Sequence, residues 1–396
     1  LIGPGWAGES EERREPARAR EAGVRRVAVV TGARSEYGLL RPVMRAIHAR
    51  ADLDLLVIAA GSHLVPPALT FRDVKKDFEV ADSVPMQIAG RTTRTDDAEA
   101  LGRGVSRFTR SFSHLQPDWV VVLGDRIEAF AAACAASVGG WALAHIHGGD
   151  RAEGVADESM RHAITKLAHL HLAATETSAD RIKRMGERAE HVRIVGSPAI
   201  DGLAEAPELG DEAFVDLGAP TAVFLMHPIG LSDEAEEAAA SAVLSALDGE
   251  RILALLPNLD PGRQGVVRAI RSWESAGGGR VVEHLPRDAF VGLLKRLAKV
   301  KTGVLVGNSS AGLIECAAIG LPAVDIGPRQ GGRERAWNVV GAQASETSVR
   351  AAVARARSLE AGEHPYGDGR SGERIASALG AVDPNDAGLT RKRCAY

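Results

Sequence analysis

Short apolar runs that break off at a glycine or a polar pair, each followed by a stretch of helical period, recur through this 396-residue chain. The first run, residues 27–30, ends in Thr31-Gly32-Ala33-Arg34-Ser35-Glu36-Tyr37-Gly38, and residues 39–49 then take helical spacing. Further strands are predicted at 53–60, 84–88, 119–123, 142–146, 171–175 and 192–196, with helices at 95–115, 127–138, 157–169 and 178–186. Unbroken apolar runs suit strands buried on both faces, and strands that alternate with helices pair in parallel. After a stretch at 204–218 that holds Pro207 and Gly210, the alternation starts again. Strands are expected at 222–226, 252–256, 304–306 and 322–326, with helices up to 247 and at 264–274, 288–297, 345–359 and 372–379, and Val281-Val282-Glu283 between the second and third of these helices. The fold class is therefore α/β: two Rossmann-like units of similar size, facing across a cleft.

One turn carries the densest chemistry. Gly307-Asn308-Ser309-Ser310-Ala311-Gly312 joins the strand 304–306 to a helix predicted over 313–319, which Gly320 ends. A strand-to-helix turn presents unpaired backbone N–H groups to an anion. Two hydroxyls add donors, and Glu315, one turn on, suits the hydroxyls of a ribose. Arg329-Gln330-Gly331-Gly332-Arg333 brings two guanidiniums suited to a pyrophosphate. The serine pair alone fits a capped helix equally well; Glu315 and the arginine loop tilt the reading toward a nucleoside diphosphate.

The strands of the first half end in Arg34, His63, Asp125-Arg126 and His145/His147, all on the rim where open α/β sheets take ligands. Asp157-Glu158-Ser159-Met160-Arg161 opens a helix, with Asp157 and Arg161 on one face. An acid at a helix start also satisfies the macrodipole with no further role. His145 and His147 share a face of an extended segment and could reach one ion. Gly148-Gly149 follow them and no compact third ligand is evident, so no metal is assigned.

A net charge of −4 and the lack of a basic stripe interleaved with aromatics argue against a nucleic-acid partner. No apolar run is long enough to cross a bilayer, so no membrane partner is expected. The three cysteines, Cys134, Cys316 and Cys394, match no zinc or redox spacing and suit a reducing, cytoplasmic setting. Residues 1–23 are a dense charge mix without an apolar core and read as a disordered extension. The expected division is then 24–205 for the acid–base unit, 206–380 for the nucleotide unit, and 381–396 for a flexible tail.

These residues together resemble the UDP-N-acetylglucosamine 2-epimerases, and in particular their hydrolysing branch, which releases N-acetylmannosamine in sialic-acid pathways. The resemblance runs from about residue 27 to 380. It rests on the motifs at 31–38, 124–126, 145–150, 157–167, 307–312 and 329–334. It implies a GT-B-like pair of domains around a deep cleft, a UDP-sugar substrate, no metal or other cofactor, and a homo-oligomer. Carried over by motif, Asp125, His145, His147, Asp157 and Arg161 match the catalytic region. Arg34, Arg126, His227, Asn258, Ser309, Ser310, Glu315 and Arg329 match the substrate and UDP grip. His147 stands where many members carry Glu, as it does in bacterial hydrolysing relatives. Asp150 replaces a commoner Glu, and one extra residue precedes Asp157. A reversible UDP-sugar 2-epimerase, a GT-B-type glycosyltransferase and a sugar-nucleotide binding protein without turnover are the alternatives.

Overall fold

A computed structural model describes residues 23–395, apart from 67, 92, 154–156, 259 and 261 and the side chain of Asp157. The expectation for residues 1–23 thus lies, but for Gly23, outside the described residues.

The first sheet holds β1 (Arg25–Thr31), β2 (Leu53–Ala60), β3 (Val80–Val84), β4 (Trp119–Leu123), β5 (Ala142–Ile146), β6 (Leu170–Ala173) and β7 (Val192–Ile194). Its order is β3-β2-β1-β4-β5-β6-β7, parallel throughout. The second sheet holds β8 (Ala222–Leu225), β9 (Ile252–Leu255), β10 (Gly279–Val282), β11 (Val304–Gly307), β12 (Ala323–Ile326) and β13 (Val339–Ala342). Its order is β10-β9-β8-β11-β12-β13, also parallel. The strand order reverses between β1 and β4 in one sheet and between β8 and β11 in the other. Ligands of open α/β sheets bind at such switch points, beyond the carboxyl ends of the strands. Arg34 and Asp125 follow the first pair; His227 and Ser309 follow the second.

Each sheet has an apolar core on both faces, which explains the unbroken apolar strands. A smaller cluster joins the units: Ala199, Ile200 and Leu203 pack with Val291, Leu313, Ile314 and Tyr366. Among the described residues no helix is long and apolar enough to cross a membrane.

Several elements depart from the sequence reading. β3 lies at Val80–Val84 and not at 84–88, because Pro85 has no N–H for the ladder. The helix expected over 313–319 is a 3-10 turn, Ser310–Gly312, then a short α-helix, Glu315–Ile319; Gly320 ends it in the left-handed region, as expected. The stretch 204–218 contains a helix, Asp211–Asp216, that buries Phe214 in the second core. The largest departure is at the end of the chain. Helix Ser371–Ala381 leaves the second unit and packs on helix Arg34–His48, placing Ile375, Ala376 and Leu379 in the first core. The Asp201 carboxylate accepts from Ser371 N at 2.9 Å and Gly372 N at 2.6 Å and fixes its start. Beyond that helix the described residues, as far as 395, are held at two points. Leu389 is buried, a contribution of about 1.5–3 kcal/mol. Lys392 donates to the carbonyls of Lys166 and Ala168, each at 2.6 Å, and pairs with Glu187 at 2.7 Å.

Candidate active site in the cleft

A cavity of about 490 Å³ opens between the two switch points. On the second unit, β11 ends at Gly307, with φ +154°, where a Cβ would stand 1.8 Å from the Leu225 carbonyl oxygen. Only glycine fits that approach. Asn308 follows and ties β8 to β11: its Oδ1 accepts from His227 N and its Nδ2 donates to His227 O, both at 2.7 Å. Ser309 and Ser310 then face the cavity. The arginine loop is tethered to the same turn, Arg329 Nη1 and Gln330 Nε2 donating to Asn308 O at 3.2 and 2.9 Å.

His227 Nδ1 accepts from Asn258 N at 3.3 Å, so Nε2 carries the proton. Burial, with Arg329 close by, pushes the imidazole down to about 3. His227 is therefore a neutral donor at neutral pH. Asn258 lines the same wall.

On the first unit, Arg34 opens helix Arg34–His48 directly after β1 and lines the cavity. Gly124 (φ +73°) turns the chain after β4 and presents Asp125. Arg161, delivered one turn into helix Asp157–Leu167, donates to Asp125 Oδ2 and, at 3.2 Å, to His147 O. Arg126 reaches across the cleft, its Nη2 3.6 Å from Asp260 Oδ1.

The two histidines of β5 and its turn serve different ends. His145 is fully buried and does not line the cavity. Its Nε2 donates to Gly124 O at 2.8 Å, and burial pushes its pKa down to about 3. It braces the carbonyl before Asp125 from behind the cavity wall, where the sequence reading had placed it in the catalytic region. His147 does line the cavity, with φ +63°, a left-handed backbone that costs a non-glycine residue about 1–2 kcal/mol. Its Nδ1 lies 2.8 Å from Asp150 Oδ2 and its Nε2 3.0 Å from Ser197 Oγ. The two rings thus take separate partners and do not converge on a point. The side chain of Asp157 lies outside the described residues.

The cleft therefore gathers Arg34, Asp125, Arg126, His147, Arg161, His227, Asn258, Ser309, Ser310, Glu315 and Arg329. Seven arginines line it against four carboxylates. Arg161 and Arg333 are each more than nine-tenths buried, and each keeps an Nε–H with no partner among the described residues. Such donors suit an anion. Arg333 belongs to the loop already singled out, and it also stands 3.7 Å from Asp150.

The sequence reading missed Glu36 and Arg287. Glu36 accepts from Gly32 N at 2.7 Å, and burial pushes its carboxyl up to about 8. Arg287 pairs with Glu315 at 2.6 Å. A polar residue at a helix start was the only sign of either.

A family profile described as UDP-N-acetylglucosamine 2-epimerase matches residues 45–380. The chain is 32% identical over 386 residues to the hydrolysing UDP-N,N'-diacetylbacillosamine 2-epimerase of Legionella pneumophila, covering 94% of this chain and 100% of that protein. It is 29% identical to the UDP-N-acetylglucosamine 2-epimerase of Neisseria meningitidis, over 85% of this chain and 88% of that one. Among solved structures, the Methanocaldococcus jannaschii UDP-N-acetylglucosamine 2-epimerase, in complex with UDP-GlcNAc and UDP, superposes with a TM-score of 0.74 at 17% identity, over 89% of this chain and 99% of that one. At that identity the likeness speaks to the fold.

Proposed function

We propose, for a chain that belongs to the UDP-N-acetylglucosamine 2-epimerase family, that it is a hydrolysing epimerase. It inverts C2 of a UDP-linked 2-acetamido sugar and releases the free epimer and UDP. One observation carries the reading: the Asp125–Arg161 pair and His147 face, across one cavity, a serine turn and the guanidiniums of Arg329 and Arg333.

The substrate's C2 hydrogen is not acidic, so inversion needs a leaving group. A base removes the C2 proton, the electron pair forms the C1–C2 double bond, and the C1–O bond breaks to UDP. Water then adds at C1 of the glycal, and an acid returns a proton to the other face of C2. Arg329, Arg333, Ser309, Ser310 and neutral His227 hold the departing diphosphate, with Arg34 and Arg126 completing the positive wall. Glu315 accepts from the ribose. Asp125 exchanges a proton at C2 while Arg161 holds its carboxylate in place; Asp157 and His147 are the groups for the opposite face and for water. We take the working enzyme to be a homo-oligomer without a metal.

The Legionella protein's name supports the hydrolysing outcome and a second substrate reading, a 2,4-diacetamido-6-deoxy sugar. Incubation with UDP-N-acetylglucosamine and UDP-N,N'-diacetylbacillosamine in parallel, followed by NMR of the products, tests both. Release of a free 2-epimer with equimolar UDP is expected from one of them. A stable UDP-linked epimer would make the enzyme reversible, and transfer to an added alcohol would make it a glycosyltransferase.

A further inference from the structure

We infer that Arg287 is a positioning residue that presents the Glu315 carboxylate to the nucleotide ribose and couples this grip to closure of the two units. The inference rests on the reading of the cavity as a uridine-nucleotide site.

Arg287 opens helix Arg287–Ala298 of the second unit. One arm of its fork, Nη1, donates to Glu315 Oε1 at 2.6 Å; the other, Nη2, donates to the carbonyl of Ala199. Ala199 lies in the 3-10 turn Pro198–Ile200, which follows β7 of the first unit. The stem of Arg287 lies against Gly38, where a Cβ would come within 3.2 Å of its Cδ. Gly38 belongs to helix Arg34–His48, also of the first unit. A single side chain of the second unit thus touches two elements of the first while it holds the carboxylate.

Glu315 is buried, and among the described residues a protein donor reaches only one of its two oxygens, Oε1. With Arg287 in place the buried carboxylate keeps a counter-charge and a fixed direction, and the free oxygen is left for hydroxyl donors. Without Arg287 the buried charge is uncompensated and the carboxylate is no longer held in one direction. If the units part, Ala199 leaves the fork and the guanidinium loses the contact that fixes its plane. An ordinary inter-unit ion pair would hold the units together and have no bearing on which sugar the nucleotide carries.

That difference is what the experiment reads. Calorimetry compares UDP with 2′,3′-dideoxyuridine diphosphate on the wild type, Glu315→Gln, Arg287→Gln and Arg287→Lys. The wild type is expected to prefer UDP by roughly tenfold or more, the scale of a hydroxyl bonded to a charged acceptor. Both Arg287 variants should lose most of that preference, as Glu315→Gln does, and the double variant should lose no more than either single one. Lysine keeps the charge but has no fork, so it decides the matter if the glutamine variant does not fold. Full preference in the folded Arg287 variants, with loss in Glu315→Gln, would reduce Arg287 to a strut and overturn the proposal. Full preference in Glu315→Gln, or none in the wild type, would instead remove the ribose contact itself, and the proposal with it.

Discussion

Nε2 of His147 lies 3.0 Å from the hydroxyl of Ser197, and this contact governs what the imidazole can do. Burial pushes the Asp150 carboxyl up, but His147, Arg333 and Ser178 beside it outweigh that and hold it at about 2. An ionised carboxylate only accepts, so His147 Nδ1 carries a proton toward it. In the neutral ring Nε2 is then a lone pair, and Ser197 donates to it. Ser197 is itself fully buried and does not line the cavity, so it orients the ring and does not attack substrate.

Removing either support should therefore impair chemistry more than binding. Asp150→Asn no longer enforces the tautomer, and turnover should fall by roughly 10²-fold, the lower end of a general acid–base contribution. Ser197→Ala should shift the ring's nitrogen NMR signals and cost about tenfold in kcat with little change in KM, a smaller loss because the Asp150 bond survives. Near-normal turnover in both variants would take His147 out of the reaction.

The diphosphate placement predicts a separate pattern. Arg329→Ala and Arg333→Ala should each weaken UDP affinity by roughly tenfold or more, since charge-assisted hydrogen bonds contribute about 1.5–3 kcal/mol. Ser310→Ala removes a neutral donor and should cost less. Isothermal calorimetry on the three variants checks this. Unchanged affinity in both arginine variants would move the anion elsewhere in the cleft.

What the sequence made legible follows from what each feature depends on. The central strands of both sheets were readable because they are apolar on both faces and stop at glycine, so Trp119–Leu123 and Val304–Gly307 announce themselves, whereas the half-exposed edge strands β3, β10 and β13 did not. The serine turn and the arginine loop were readable for the same reason: they directly follow strand ends. Features set by distant packing were not. Nothing near Ile375 says that it packs on the helix of Arg34, and nothing near Arg287 names Ala199 as its partner. His145 and His147 look alike in sequence. The left-handed backbone at His147 separates them: His147 reaches the cavity wall and His145 stands behind it.

The buried histidines make stability fall in mild acid. Burial pushes His63 and His169 down to about 4 and His145 and His227 to about 3. A folded pKa below the unfolded one means that only the unfolded chain takes up the proton between them. Stability is then lost as pH falls from about 6.5 toward the folded values, on the order of 1 kcal/mol per pH unit for each histidine. Glu36 runs the other way: its carboxyl, raised to about 8, loses its contribution as pH rises from about 4.5 through that value. Melting curves between pH 4 and 7 should show Tm dropping toward acid, with a shallower slope in His145→Gln. An equal slope in that variant would mean His145 is protonated in the fold.

The fate of the C2 proton and of UDP separates the hydrolysing reading from its rivals. If Asp125, Asp157 or His147 removes the C2 proton and an acid later returns one, product made in heavy water should carry deuterium at C2. If water adds at C1 after UDP departs, the sugar should appear free, with UDP in equal amount. Asp125→Asn keeps the size of the side chain and a contact to Arg161 but removes the base. Turnover should fall by about 10²–10⁴-fold, while UDP still binds, because the diphosphate is held from the other unit. Product without deuterium at C2 would exclude elimination. Near-normal turnover in Asp125→Asn would leave elimination in place and assign the proton at C2 to Asp157 or His147, and the same labelling in Asp157→Asn would then choose between them.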